Sequence, residues 1–305
     1  MNGIDSNSSG TSLAPAFEAF AAILEPQVAL APFTYLRVGG PADFIARPRS
    51  REELAALVRT CLSNNVPFRI LGAGCNVLVP DGGFRGIIIR LTDPIFTQVS
   101  VQGKRVLAAG GAALSSVISE SARNGLAGLE TLVGIPATVG GALRCNAGER
   151  SEEISRFVRR VEVLDEHGQV QNRERDELRF DHRGGNLEEQ VILAVEFELE
   201  PDKIDTIVRR LRRAWIQRKA SQPYSYQPSA RMFKNPRGMN AAALISQSGL
   251  IGTKVGGAEV SERDANFVVA APETKARDIV RLVEMIQQRV LERTGISLEL
   301  ELAVW

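Results

Sequence analysis

The sequence predicts an α+β protein, and three observations indicate this class. In the first half, short apolar runs bounded by glycines, typical of buried strands, alternate with amphipathic helical patterns. Residues 191–199 then alternate strictly between two sets of side chains, as expected for a strand with one core face and one solvent face. Near the C-terminus, an apolar stripe from Ile279 to Val290 predicts a long helix.

The amino-acid composition argues against several classes of protein function. The chain has 305 residues, of which 44% are hydrophobic and 24% charged, so it can form one large domain or two unequal ones. A net charge of +1 and 6% aromatic residues argue against a nucleic-acid partner. Three cysteines without CxxC spacing and two histidines predict neither a disulfide framework nor a metal site.

Targeting signals are not evident in the sequence. There is no apolar run long enough to span a bilayer, and the polar N-terminus lacks the pattern of a signal peptide. We therefore expect a cytoplasmic protein without a membrane partner, while its oligomeric state stays open.

The elements of the first half follow in order. Residues 1–15 lack apolar periodicity and are expected to be disordered, and a short helix is predicted from Ala16 to Leu24. Residues 33–48 predict two strands around a Gly-Gly-Pro turn, and Ser50 with Glu53 forms a capping box that begins a helix. Further predicted elements are strands at 68–71, 77–79, 87–89 and 106–109 and a helix from Leu114 that Gly125 ends.

A hairpin and a basic helix follow. Valines on both sides of Glu166-His167-Gly168 predict the hairpin. The helix would bury a stripe and expose basic residues on its opposite face. Its predicted buried stripe is Ile204, Ile207, Val208, Leu211 and Trp215, and the basic face is Arg209, Arg210, Arg212, Arg213 and Arg218. That basic face is either a solvated surface or a rim that steers a phosphorylated ligand.

Residues 222–240 are loop-like, and a domain boundary is predicted near their start. Beyond them we expect a helix from Ala241 to Ser248, a Gly256-Gly257 turn and a strand from Phe267 to Ala270. After the long helix, the run from Ile296 to Trp305 predicts one last strand.

Two glycine-rich stretches are the main functional signal. One runs from Gly134 to Gly148 and the other from Leu71 to Val79. Glycines let backbone N–H groups approach a ligand closely, and several together can bind an anion. Two such cradles suggest a diphosphate, although each alone is as well explained by a glycine-rich turn.

Taken together, the ordered motifs resemble the UDP-N-acetylenolpyruvoylglucosamine reductase family, also called UDP-N-acetylmuramate dehydrogenases. The resemblance runs from about Leu30 to Trp305. Its motifs are LRVGGPAD at 36–43, LGAGCNVLV at 71–79, GIPATVGGA at 134–142 with NAG at 146–148, FKNP at 233–236 and VGGAEVS at 255–261.

The resemblance implies a fold and a reaction. It implies a two-subdomain FAD-binding domain of the vanillyl-alcohol oxidase/p-cresol methylhydroxylase type over residues 16–219, joined by a C-terminal strand at 296–305. A smaller α+β substrate domain would span 220–295. FAD, reduced by NADPH, would reduce the enolpyruvyl group of a UDP-sugar in peptidoglycan precursor synthesis.

The same resemblance implies roles for particular residues. Arg183 and Glu301 match catalytic positions, and His182, Lys219, Lys234 and Asn235 match or adjoin substrate-binding positions. The residues implied to bind FAD are Arg37, Gly72, Ala73, Gly74, Cys75, Asn76, Gly134, Ile135, Pro136, Thr138, Gly140, Gly141, Ala142, Asn146 and Gly148.

One departure concerns the proton donor. The segment before Phe233 is one residue shorter than in the family, so Arg231 occupies the place of the donor serine. Arginine stays charged and is a poor donor. Either Ser229 moves into reach, or a water held by Arg231 and Glu301 donates the proton. Smaller departures are Cys75 in place of serine and Asp264 in place of histidine.

The departure keeps two alternatives to the reductase open. One is a flavin oxidoreductase with a different substrate, because a fold alone does not fix chemistry. The other is a flavin- or UDP-sugar-binding protein that has lost turnover.

Overall fold

The structure, a computed structural model, describes residues 15–148, 152–181, 184–187, 191–223 and 227–305. These divide into two compact units. The first contains residues 15–28, Ala42–Ala73 and Arg85–Trp215, and the second contains Ala29–Pro41, Gly74–Phe84 and Ile216–Trp305. The expected disordered N-terminus lies almost wholly outside the described residues.

The α-helices are α1 Arg51–Ser63, α2 Leu114–Arg123, α3 Val139–Arg144, α4 Ile204–Ser221, α5 Ala241–Gln247 and α6 Ala276–Thr294. The strands are β1 Leu24–Ala29, β2 Pro41–Ala46, β3 Phe68–Ile70, β4 Val77–Leu78, β5 Phe84–Ile89, β6 Val99–Gln102, β7 Arg105–Ala109, β8 Leu126–Ala127, β9 Val158–Leu164, β10 Val170–Glu174, β11 Phe180–Asp181, β12 Gly184–Gly185, β13 Val191–Glu198, β14 Glu200–Pro201, β15 Ser229–Arg231, β16 Lys254–Val255, β17 Ala258–Val260, β18 Phe267–Ala270 and β19 Ala303–Val304. Mixed α+β architecture is thereby confirmed.

Two sheets organise the first unit. One has the strand order β1-β2-β5-β3, with β3 and β5 parallel, and the other has the antiparallel order β10-β9-β13-β7-β6. Helix α1 packs its buried Leu54, Leu57 and Cys61 into a core with Ile87 and Ile89. Burial raises the pKa of the Cys61 thiol to about 12, so this side chain is an inert part of the core.

Half of the predicted capping box is present at the start of α1. Ser50 Oγ accepts a hydrogen bond from the Glu53 backbone N–H at 3.1 Å. The Glu53 carboxylate, however, accepts from the backbone N–H of Arg49 rather than from that of Ser50. The predicted N-terminus of α1 is still confirmed, because the cap satisfies a free N–H of the first turn.

Strand β13 differs from its prediction, because both of its faces are buried from Val191 to Phe197. Helix α3 contacts β13, and Val191 and Leu193 of β13 belong to the core around α1. Glu196 is only 8% exposed. Its carboxylate is bound by Arg159 at 2.7 Å and Arg160 at 3.0 Å, with Arg105 at 3.6 Å.

The segment before β2 also differs from its prediction. Residues 33–38 form no strand; Ala31–Phe33 is a 3-10 turn, and Arg37 has a positive φ of 57°. Buried Thr34 bonds through Oγ1 to the Val38 carbonyl at 3.0 Å, which folds the segment onto itself. Similarly, the predicted first helix is a 3-10 helix over Pro15–Phe20, and Leu24 begins a strand.

Helix α4 is present, but its predicted buried stripe is wrong. Only Ile207 is fully buried. Ile204, Val208 and Trp215 are 50%, 42% and 45% exposed. The register of the helix is instead fixed on its other side, where Arg210 binds Glu130 at 2.7 Å and Asp202 at 2.8 Å. None of the helices in the described part of the chain is long and apolar enough to cross a bilayer.

The second unit is built on the antiparallel sheet β15-β18-β17-β16. Ala230, Val268 and Val260 are neighbours across three strands and pack with α5 and α6 in one core. Asn240 caps α5, and Gly295 in the left-handed conformation ends α6, as predicted. The carboxylate of Asp81 accepts hydrogen bonds from the first N–H groups of α6.

The last ten residues pair with two different segments, so they do not form one continuous strand. Leu300 bridges Phe233, and the Glu301 N–H donates to the Met232 carbonyl at 2.9 Å. Only Ala303–Val304 forms a strand, parallel to β4. The unit therefore includes β4 and residues 296–305, both of which the predicted boundaries assigned to the FAD-binding domain. Its break at Trp215 lies close to the predicted boundary at 219/220.

The buried carboxylate of β13 gives a stability prediction. Replacing Glu196 by Gln leaves the bound arginines without a charge partner, so we expect the free energy of unfolding to fall by about 1–3 kcal/mol. Urea unfolding followed by circular dichroism measures this change. The matched control is Glu198→Gln at the exposed end of the same strand, expected to change stability by less than about 0.5 kcal/mol. Equal losses for both variants would contradict the assignment.

Candidate functional site

A cavity of about 310 Å³ lies within the first unit. Three backbone segments form much of its wall: the end of β3 with Gly72 and Ala73, the β7–α2 turn with Gly110 and Gly111, and the start of α3 with Gly140 and Gly141. The segments belong to different sheets and helices, yet each presents glycine to the same space. Five of the residues that line the cavity are therefore glycines: Gly72, Gly110, Gly111, Gly140 and Gly141.

Close approach explains why glycine is required in these segments. A Cβ on Gly72 would lie 2.4 Å from Thr138 Oγ1, and one on Gly110 would lie 2.0 Å from the Ile192 carbonyl oxygen. The Gly140 N–H donates to the Gly110 carbonyl at 2.8 Å, which ties two of the segments together. Thr138 Oγ1 accepts from the Gly141 N–H at 3.3 Å and begins α3. A side chain at Gly72 or Gly110 would therefore collide with a neighbouring segment.

Two arginines supply positive charge to the cavity wall, Arg90 after β5 and Arg144 at the end of α3. Burial, with a smaller contribution from nearby Arg47, lowers the pKa of Arg90. A guanidinium ion still keeps its charge, because its ordinary pKa is above 12. A partly desolvated cation beside glycine-rich backbone favours a phosphorylated ligand. The cavity thus fits the diphosphate of a dinucleotide such as FAD.

Residues from both predicted glycine cradles line the same cavity, but not all of the predicted residues do. Gly72, Ala73, Thr138, Gly140 and Gly141 line the cavity. Six further predicted cofactor residues belong to the first unit but are not among the residues that line it: Gly134, Ile135, Pro136, Ala142, Asn146 and Gly148. Four others, Arg37, Gly74, Cys75 and Asn76, belong to the second unit. Their role in binding FAD stays a prediction.

Asn146 and Gly148 have a structural role in the first unit. Asn146 has a positive φ of 40° and is buried, and its Oδ1 accepts from the Ser155 N–H. A Cβ on Gly148 would lie 2.5 Å from the Glu152 carbonyl oxygen. These residues therefore shape the turn that follows α3.

Several cavity residues were missed by the sequence analysis, namely Arg90, Thr92, Thr97, Gly110, Gly111 and Arg144. The Gly110-Gly111 pair had a usable signal, because it stands directly between a predicted strand and a predicted helix. The arginines and threonines had no such signal, because nothing in the local sequence pattern distinguishes them from surface residues.

In the second unit, Arg231 lies beside Asp264. Its Nη2 is 3.8 Å from Asp264 Oδ2, and its guanidinium carbon is 4.9 Å from the centre of the Phe267 ring. Both charged side chains are less than one-fifth exposed. Asp264 is held in turn by the Asn266 N–H, which donates to its Oδ1 at 2.9 Å. Two of the three residues that depart from the family pattern, Arg231 and Asp264, therefore form an ion pair with each other.

Ser229 lies two residues before Arg231 on the same face of β15, where it pairs with Val269. It is fully buried, and no described residue lies within hydrogen-bond distance of its Oγ. Movement of Ser229 into the place of a donor serine would break the pairing of β15 with β18. The geometry favours the alternative in which Ser229 stays in the sheet.

Glu301 lies next to the same loop. Besides its N–H bond to Met232, its carbonyl oxygen accepts from Asn76 Nδ2 at 2.9 Å. The backbone on both sides of the half-buried Glu301 side chain is therefore fixed. The structure brings together Met232, Glu301 and Asn76, which are far apart in sequence.

The remaining predicted substrate residues are distributed as follows. Lys234 Nζ binds Glu299 Oε1 at 2.5 Å, and Asn235 Oδ1 accepts from the Ala241 N–H at the start of α5. Lys219 is half-buried in the last turn of α4. Arg183 and His182 lie outside the described residues. Among the residues that are described, no group of three or more His, Cys, Asp or Glu side chains is placed to hold a metal ion.

Two family comparisons cover most of the chain. Residues 42–173 match the FAD binding domain, and residues 222–305 match the C-terminal domain of UDP-N-acetylenolpyruvoylglucosamine reductase. A UDP-N-acetylenolpyruvoylglucosamine reductase from Moorella thermoacetica is 39% identical over 273 residues, covering 89% of this chain and 90% of the relative. The protein of that name from Carboxydothermus hydrogenoformans is 39% identical over 277 residues, covering 90% and 91%.

The chain belongs to the UDP-N-acetylenolpyruvoylglucosamine reductase family. The crystal structure of such a reductase from Thermus caldophilus superposes with a TM-score of 0.80 at 37% identity, over 92% of this chain and 98% of that one. The predicted fold, a flavin-binding domain followed by a smaller α+β domain, is therefore confirmed. The glycine-lined cavity falls almost entirely within the segment that matches the FAD binding domain.

The close contact at Gly72 gives a prediction for cofactor binding. In Gly72→Ala the added methyl group would collide with Thr138 Oγ1 and move the cap of α3, so we expect at least a tenfold loss of FAD affinity. The ratio of flavin to protein absorbance after gel filtration measures retention. Gly82→Ala is the matched control, because an added Cβ there meets no atom within 4 Å. Normal flavin content in Gly72→Ala would contradict the assignment.

Proposed function

We propose that this protein is a flavoenzyme that uses NADPH to reduce the enolpyruvyl group of UDP-GlcNAc enolpyruvate, giving UDP-N-acetylmuramate for peptidoglycan precursor synthesis. The observation that carries the proposal is the glycine-lined cavity in a segment matching the FAD binding domain. The chain that contains this cavity aligns over about nine-tenths of its length with proteins named for this reductase activity. We place the reaction in the cytoplasm.

Bound FAD would supply hydride transfer from NADPH to the enolpyruvyl double bond. The chain's own contribution is to hold the cofactor's diphosphate. The N–H groups of Gly110, Gly111, Gly140 and Gly141 already donate within the protein, so the backbone donors that we assign to the diphosphate are those of Gly72 and Ala73, with Arg90 to offset its negative charge. The tight contacts among these segments fix the donors before the ligand arrives, which lowers the cost of ordering on binding.

Reduction of the double bond adds one hydrogen to each carbon. A hydride adds to the terminal carbon, and the electron pair of the double bond moves toward the carbon that bears the carboxylate, which then takes a proton. Negative charge therefore develops at the carboxylate, and a nearby fixed cation stabilises it. We assign this role to Arg231, held by Asp264 and Phe267, with Arg183 as a second cation.

The proton must come from another group, because a guanidinium ion is a poor acid. Our candidate for holding the proton, or the water that delivers it, is Glu301. Its backbone N–H donates to the carbonyl of Met232, the residue that follows Arg231. His182, Lys219, Lys234 and Asn235 are assigned to the UDP-sugar. This division keeps an anion-binding role for Arg231 separate from the acid–base role of Glu301.

The acid–base assignment predicts a change in kcat. Glu301→Gln keeps the shape of the side chain but cannot exchange a proton, so we expect kcat to fall by about 10²–10⁴-fold with normal flavin content. Glu299→Gln, two residues away and 72% exposed, should retain kcat within about threefold. NADPH oxidation followed by absorbance measures both variants. Equal effects would argue against a specific role for Glu301.

The anion-binding assignment predicts a split between KM and kcat. Arg231→Gln removes the fixed cation, so we expect KM for the enolpyruvyl substrate to rise at least tenfold, with a partial effect for Arg231→Lys. Exposed Arg237 in the same loop region is the control, and Arg237→Gln should leave KM within about twofold. An unchanged KM in Arg231→Gln would contradict this role.

Turnover itself is tested with purified holoenzyme, NADPH and UDP-GlcNAc enolpyruvate. We expect NADPH oxidation that depends on the sugar nucleotide, and a product heavier by two hydrogen atoms in mass spectrometry. A yellow protein whose flavin is reduced by NADPH but which leaves the enolpyruvyl group intact would contradict the proposal. That outcome would favour a different flavin oxidoreductase or a binding protein.

A further inference from the structure

Asn76 holds the chain segment that contains Glu301. Its side-chain Nδ2 donates to the Glu301 carbonyl oxygen at 2.9 Å, and its own carbonyl oxygen accepts from the Ala303 N–H at 3.0 Å. The two bonds run in opposite directions and bracket the buried Leu302. A single residue, 225 positions away in sequence from Glu301, therefore holds both ends of residues 301–303.

The other side of Glu301 is held by a different segment. Its N–H donates to the Met232 carbonyl oxygen at 2.9 Å, so its N–H and its carbonyl group are both bound. Of these two bonds, only the one from Asn76 comes from a side chain. It is therefore the bond that one substitution can remove while the backbone pairing of the segment stays in place.

The backbone of Asn76 is anchored by its own neighbours. Asn76 stands immediately before β4, which pairs in parallel with β19. Two residues earlier, Gly74 has a positive φ of 67°, and its carbonyl oxygen accepts from the Tyr35 N–H at 2.9 Å. A Cβ on Gly74 would lie 2.3 Å from the Phe33 carbonyl oxygen. Asn76 is therefore presented by a tightly packed turn whose contacts do not involve Glu301.

The position of the Glu301 carboxylate matters because proton transfer requires hydrogen-bond distance. A general acid or base acts within about 2.6–3.2 Å of the atom that gains or loses the proton, and a misplacement of about 1 Å can cost about 10²-fold in rate. Bonds to the N–H and to the carbonyl group hold the backbone from which the Glu301 side chain projects. Met232 on one side and Asn76 on the other thus set where the carboxylate begins.

We propose that Asn76 is a positioning residue for Glu301 in the reduction of the enolpyruvyl group. Its amide fixes the backbone of Glu301, so that the carboxylate can hold the proton, or the water that delivers it, beside the reacting carbon. This inference rests on the proposed function, because it requires the acid–base role of Glu301. The resemblance implies instead that Asn76 contacts FAD, yet Asn76 is not among the residues that line the glycine-rich cavity.

Replacement of the amide tests the bond. In Asn76→Asp an acceptor faces the Glu301 carbonyl oxygen in place of the donor, and in Asn76→Ala the donor is absent. We expect kcat to fall about 10–100-fold in both holoenzymes, while KM for NADPH and flavin content stay within about twofold of the wild type. Stopped-flow absorbance should show normal reduction of the flavin by NADPH and slow reoxidation by UDP-GlcNAc enolpyruvate.

A double variant shows whether Asn76 acts through Glu301. The kcat of Asn76→Asp with Glu301→Gln should lie within about threefold of that of Glu301→Gln alone, whereas independent effects would multiply. The matched control is Asn124→Asp at the end of α2, because exposed Asn124 makes the same kind of bond, from Nδ2 to the Glu120 carbonyl oxygen at 2.8 Å. This control should keep kcat within about twofold of the wild type.

Hydrogen exchange followed by mass spectrometry gives a measurement that does not need turnover. Peptides that contain residues 301–303 should exchange about tenfold faster in Asn76→Ala than in the wild type, with no change in Asn124→Asp. Circular dichroism shows whether each variant is folded. Should Asn76→Asp fail to fold, Asn76→Ala carries the test, because it introduces no charge.

The outcomes separate this inference from the proposed function. Wild-type kcat in the Asn76 variants, together with the expected loss in Glu301→Gln, would overturn the inference alone. Multiplied losses in the double variant or unchanged exchange in Asn76→Ala would also overturn it, and loss of flavin in proportion to activity would do so in favour of a contact to FAD. Absence of turnover in the wild type, or wild-type kcat in Glu301→Gln, would overturn the proposed function and this inference with it.

Discussion

The close approach of three backbone segments in the first unit is the constraint on which the candidate cofactor site depends. Gly72, Gly110 and Gly140 come from separate elements, and hydrogen bonds such as the one from Gly140 to Gly110 hold them together. A side chain at Gly72 or Gly110 would separate them. The hydrogen bonds fix the position of the cavity wall, and Arg90 and Arg144 are the two basic residues among those that line it.

In the second unit, buried polar groups fix the loop that contains Phe233. Asn266 is fully buried, accepts from the Phe233 N–H and donates to the Phe233 carbonyl. Its own N–H fixes Asp264, and Asp264 lies beside Arg231. Hydrogen bonds thus link the loop backbone to Asp264 through Asn266, and an ion pair at 3.8 Å links Asp264 to the guanidinium group of Arg231. In a low-dielectric setting such a network restricts the orientation of each member, so the position of the Arg231 side chain is fixed by groups distant in sequence.

Sequence patterns were reliable where the decisive interactions are local. Helices α1, α2, α5 and α6 depend on apolar periodicity, caps and terminating glycines, and all four lie where the pattern predicted them. The site was predictable to a similar extent. The motifs at Gly72 and Gly140 marked the cavity wall, while Arg90 and Arg144 reach it only through the arrangement of β5 and α3.

By itself, the sequence determined the α+β class, the family and several glycines of the cavity wall, because each is encoded in short, ordered motifs. Only the tertiary structure decided which faces are covered. It buried both sides of β13, for which one solvent face was predicted, and left Ile204, Val208 and Trp215 of the predicted buried stripe of α4 partly exposed. It also paired Arg231 with Asp264 and divided the last ten residues between two partners. Burial and pairing depend on neighbours distant in sequence, and a local pattern carries no information about them.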